Sequence, residues 1–151
     1  MTIAAYALAI VPLAVGFGAP RTAVLDHAVV TEQCLRFEQP LGYSASGARE
    51  QGDSAWYVLQ LGDSGAVTRP LFPKRQRERW SKGSHWAATA FTLVVSVSDG
   101  LVGWDLTLWP DGTGTGFAGT ATYRTDVVVA GWVPPQMKVH ATKIKCPAVP
   151  A

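Results

Sequence analysis

Few residues in this 151-residue chain could carry chemistry, and the first to weigh are glycines. Gly114, Gly116 and Gly119 spell G-x-G-x-x-G. That pattern cradles a dinucleotide pyrophosphate when it follows a strand and opens a helix, whose N-terminal amides hold the anion. Here the continuation is T-A-T-Y-R-T-D-V-V-V, dense in β-branched residues and without a helical period. The glycines are therefore assigned to a tight turn, a bulge and close strand approach, and no cofactor is expected. G-Y-S-A-S-G at Gly42–Gly47 approaches a nucleophile elbow, but Ser46 stands where the second glycine of G-x-S-x-G is required. His27, His85 and His140 lack ligand spacing, so no metal site is legible. A Ser-His-Asp triad assembles in space rather than in sequence. Asp105, out of phase with Trp104, is expected on the solvent side of its strand. With no catalytic constellation legible, the expectation is a protein that is not an enzyme.

Two other sets of residues invite a binding role. The stretch P-K-R-Q-R-E-R-W-S-K places Lys74, Arg75, Arg77, Arg79 and Lys82 around a single Glu. Such a run can meet phosphate, lipopolysaccharide or an acidic protein surface, or can be a solvated loop or short helix over Lys74–Ser81. The overall charge of +2 is too small to point by itself to nucleic acid or to a membrane surface. The second set is aromatic. Trp56, Trp86, Trp104 and Tyr123 have strand phases that could turn them toward a common interior, as walls for a small apolar ligand or as filling that leaves no room.

S-A-S-G-A-R at Ser44–Arg49 and W-S-K-G at Trp80–Gly83 resemble the two loop motifs of periplasmic lysozyme inhibitors of the MliC type. Those are small disulfide-bonded β-barrels that place a serine and a lysine in a lysozyme's active cleft. The resemblance implies a protein-interaction module acting through exposed loops. The two motifs lie farther apart in this chain than in that family, and Glu50 follows Arg49 where an aromatic residue is usual.

The elements that must position these residues are strands. Phe91, Leu93, Val95 and Val97 alternate with Thr92, Ser96 and Ser98, interrupted by Val94. Asp99-Gly100 then signals a two-residue type I′ hairpin. Val102, Trp104, Leu106 and Leu108 follow on one face, and Phe117, Ala121 and Tyr123 line one face of the next strand. Further strands are expected over Ala28–Phe37, Ala55–Leu61, Ala66–Leu71, Val127–Val133 and Met137–Cys146. Together these give about eight strands and an all-β fold: a single antiparallel barrel with a lipocalin-like meander, or a β-sandwich.

Residues 1–18 read as an export signal, apolar from Ile3 and ending in small residues, cleaved before Ala19. An uncleaved anchor is the alternative, since Ile3–Ala19 lies at the short end of the roughly 17–25 residues a spanning helix needs. Residues 19–151 then form one β domain, exported to the periplasm or beyond, with membrane contact only through the N-terminal segment if it is retained. Cys34 and Cys146 fit that compartment and are expected to form a disulfide joining the terminal strands. The leading expectation is a non-enzymatic binding module with a small apolar ligand in the barrel. The alternative is the loop-based interaction module.

Overall fold

The computed structural model describes residues 30, 32–41, 54–126 and 130–150. Residues 1–18, expected to be an export signal, and the Gly42–Gly47 motif lie outside them, as does His27. Eight strands form one antiparallel sheet that nearly closes into a barrel: β1 (Gln33–Phe37), β2 (Val58–Leu61), β3 (Val67–Thr68), β4 (His85–Ala88), β5 (Leu93–Ser98), β6 (Val102–Pro110), β7 (Gly116–Thr125) and β8 (Gln136–Ile144). Their order is β3-β2-β1-β8-β7-β6-β5-β4, so consecutive strands pair except β3 with β4, and β1 meets β8. A single bridge, Ala66 to His85, spans the remaining gap between β3 and β4. The Trp86 indole N–H reinforces that seam by donating to the Gly62 carbonyl at 2.8 Å. Helix α1 (Lys74–Ser81) lies in the connection between β3 and β4.

Strand alternation decides what fills the barrel. Along β6, Trp104, Leu106 and Leu108 are buried while Asp105, Thr107 and Trp109 are exposed. Register carries the inward phase across the sheet: Leu106 opposes Val95 and Ala121, and Leu35 opposes Leu59. Leu35, Leu59, Leu93, Val95, Leu106, Leu108 and Ala121 have no water-accessible surface, so no void that admits a water touches them. A cation on aromatic rings stands at each end. Arg69 lies among Trp56, Phe72 and Trp80 at one, and Lys143 Nζ sits 5.3 Å from the Phe117 ring centroid at the other.

Several expected elements are corrected. Phe91 lies in the turn between β4 and β5 and is exposed; the Thr89 hydroxyl accepts the Phe91 and Thr92 N–H groups and ends the strand there. Asp99 faces Val102, so Gly100 and Leu101 make the next corner. Only Gly100 has positive φ there, the II′ pattern rather than I′. Residues 54–57 form a 3-10 turn rather than the start of β2. β4 was not anticipated. The described part of Val127–Val133 is turn and irregular chain, not strand. Its flanks, β7 and β8, already pair with each other, which leaves a strand there without a neighbour.

The glycine run lies in the β6–β7 hairpin, with Gly114 at φ +80° in the turn and Gly119 opposite Leu108. A Cβ on Gly119 would overlap the Thr107 carbonyl oxygen and Leu108. Gly119→Val is therefore expected to cost about 1–3 kcal/mol through overpacking, measurable by urea denaturation. An unchanged midpoint would show that β6 and β7 can separate freely.

Candidate functional site

The four aromatics expected to wall one chamber belong to one core, within which they make different contacts. Trp56, from the 3-10 turn Ser54–Tyr57, meets Phe72 and Trp80 edge-on, with centroids 4.8 and 5.6 Å away. Trp86 is buried at the β3–β4 seam. Trp104 contacts Tyr123 at 5.2 Å, and Tyr123 in turn contacts Trp132 at 6.2 Å. Trp86 and Trp104 are 3% and 2% exposed, which leaves them almost no surface to offer a ligand. The faces that strand phase turned inward are covered by neighbouring side chains.

The centre of the Trp56, Phe72 and Trp80 contacts is a residue the sequence did not single out. Arg69 is fully buried, its guanidinium carbon 4.8–5.2 Å from the centroids of Trp56, Phe72 and Trp80. It donates to the Leu41 carbonyl at 2.6 Å and the Trp56 carbonyl at 3.3 Å. A buried guanidinium is tolerable when its terminal nitrogens find acceptors and its faces lie on aromatic rings. The result ties the β1–β2 connection to the segment leading into α1. No local motif announces this, because the three rings come from separate stretches of chain.

Trp80 pins α1 to this cluster and thereby orients its charges. At 3.6 residues per turn, a helix that buries Trp80 directs Lys74, Arg75, Glu78, Arg79 and Lys82 away from the barrel. All five are exposed. Arg79 also pairs with Asp99 at 2.6 Å, and the Asp99 side chain is 1% exposed. Arg77 belongs to a different set. It is half-buried and donates to the carbonyls of Phe72 and Pro150, so it staples the helix to the chain. Within W-S-K-G, Trp80 is core, while Lys82 is exposed just past the helix end. Ser84 fastens that end, bonding through its hydroxyl to the Trp80 carbonyl and accepting the Ser98 N–H.

The antiparallel order places four connections at one end of the barrel: residues 38–57, the α1 segment, the Asp99–Leu101 corner and residues 126–135. The connections at the other end are residues 62–66, 89–92 and 111–115. There the Asp111 carboxylate accepts the Thr113 hydroxyl and N–H, which holds its pKa below the ordinary aspartate value.

The sheet brings one serine, one histidine and one aspartate into line. His85, Ser96 and Asp105 occupy one row across β4, β5 and β6. The serine sits between the other two and donates to Asp105 at 2.8 Å, so no imidazole is interposed to take its proton. Arg124 also reaches Asp105, at 3.8 Å. Among the described residues no group of three His, Cys, Asp or Glu side chains could hold a metal. An open hollow of about 260 Å³ lies beside Arg36, Phe37, Glu38, Tyr57 and Thr142.

No family model matches the chain, and no characterised protein or solved structure matches it.

Proposed function

We propose that the protein is an exported, non-enzymatic binding module that recognises an acidic partner through α1 and the connections at the same end of the barrel. The observation that carries this reading is the outward display of Lys74, Arg75, Arg79 and Lys82 on a helix held in place by buried Trp80. A short surface helix without such an anchor frays in water. Here the cations are instead held on a fixed scaffold, which lowers the ordering cost of binding. Export is supported by the Cys34–Cys146 disulfide, a bond that persists in oxidising compartments. No helix among the described residues is long and apolar enough to cross a membrane. The barrel itself is apolar inside, with Asp105, Arg124, Lys138 and His140 on its outer wall, the reverse of a membrane-spanning barrel. A ligand inside the barrel is the less favoured reading because Trp86 and Trp104, two of its expected wall residues, are 3% and 2% exposed.

The test compares two variants of equal net charge. K74Q/R75Q/K82Q neutralises α1, and R36Q/K138Q/K145Q neutralises three exposed cations elsewhere. On immobilised poly-L-glutamate at low salt, the α1 variant is expected to bind about tenfold more weakly than the control variant, from modest contributions per exposed charge. Equal losses in both variants, or no binding by the unaltered protein, would overturn the reading.

A further inference from the structure

The end of the barrel that carries α1 also carries apolar residues with no place in the core. Leu101 is 62% exposed, Trp132 39% and Val133 80%. They stand at the corners of two connections rather than on a strand face. The two corners adjoin: the Asp126 N–H donates to the Leu101 carbonyl at 2.9 Å. The Leu101 corner also adjoins α1, through the Arg79–Asp99 pair. The ring of Trp132 packs edge-on against Tyr123, and Tyr123 packs against Trp104 in the core, so the exposed indole has a firm base.

We propose that the acidic partner is the surface of an anionic lipid bilayer, with Leu101, Trp132 and Val133 entering it while the α1 cations meet its headgroups. This rests on the reading given under Proposed function and supplies the class of partner. Three physical arguments favour a bilayer over an acidic protein. Apolar side chains on protruding corners need a matching cavity in a protein, whereas a fluid bilayer has no fixed shape to match. Tryptophan is suited to the membrane interface, where its ring is buried and its N–H stays wet. Basic residues beside an apolar edge combine the two forces that hold peripheral proteins on anionic membranes. From Asp126 to Gln136 the connection carries no charged residue after Asp126 itself. On α1 and the two apolar corners the exposed acids are Glu78 and Asp126, and the Asp99 carboxylate is engaged by Arg79.

The experiment uses the full chain with vesicles of phosphatidylcholine alone and of equimolar phosphatidylcholine and phosphatidylglycerol. Cosedimentation with the mixed vesicles but not the neutral ones is expected. L101S/W132S/V133S is expected to weaken that binding by about tenfold or more, given the transfer of apolar surface. K74Q/R75Q/K82Q is expected to weaken it by about fivefold per charge removed. Brominated acyl chains should quench tryptophan fluorescence in Trp109→Phe as strongly as in the unaltered protein, and much less in Trp132→Ser. Binding to mixed vesicles that depends on α1 but is unchanged in the apolar variant overturns the inference and leaves the charge-based reading standing. Binding to poly-L-glutamate with neither kind of vesicle bound overturns it in the same way. Failure to bind any of these anionic probes sinks both.

Discussion

Trp80→Ala is expected to lower stability by about 3–5 kcal/mol, the range for truncating a large aromatic in a packed interior. Trp80 is 2% exposed and contacts Trp56, Phe72 and the Arg69 guanidinium. Removing it opens a cavity and strips one of the three rings around a buried cation, so two costs coincide. Urea denaturation of the two proteins measures the loss, and Trp80→Phe should recover part of it by restoring a ring beside Arg69. The substitution also removes the anchor of α1. Binding to poly-L-glutamate should therefore fall although no charge has changed. A cost below about 1 kcal/mol would mean that the aromatic cluster is not what holds this end of the barrel together.

The second large effect belongs to the disulfide. Cys34 and Cys146 are bonded, with Cα atoms 5.0 Å apart and a sequence separation of 112. Cys34 lies in β1 opposite Ile144 of β8, and the two strands already pair over four residues. The bond thus crosslinks elements that the native register brings together, and its contribution falls mainly on the unfolded chain. For so long a loop the chain-entropy model gives about 4–5 kcal/mol. C34A/C146A should lose stability of that order and unfold with a steeper dependence on urea, because its unfolded ensemble is less compact. An unchanged slope together with a loss under about 1 kcal/mol would contradict this account.

The strands from β5 to β7 were legible because their alternation is long and their corners carry glycine. The cysteine pairing was legible because the chain offers a single pair in complementary terminal positions. β4 escaped notice because His85–Ala88 is four residues long and contains no β-branched side chain. Val127–Val133 misled in the opposite sense: its composition suits a strand, but pairing depends on neighbours that local propensity does not describe. The candidate site divides along the same line. The cations of α1 are a local feature and could be read directly. Strand phase correctly turned Trp104 and Tyr123 inward, yet phase says nothing about which residues cover a ring. Arg69 was out of reach for the same reason, since its burial depends on rings at positions 56, 72 and 80 meeting in space.

The seam between β3 and β4 bears on how the protein behaves in a crowded solution. Seven of the eight inter-strand boundaries are laddered, and the longest joins nine residue pairs between β6 and β7. The eighth holds by one bridge and an indole, so thermal opening begins there. An opened sheet presents two raw edges, and raw edges invite pairing with other chains. These edges are β3, with two residues, and β4, with four. Runs that short give an incoming strand little to align with, well under the roughly six or seven residues of typical aggregating segments. The weakest boundary thus falls between the strands least able to recruit another molecule, and the long, strongly apolar strands stay enclosed when it breathes.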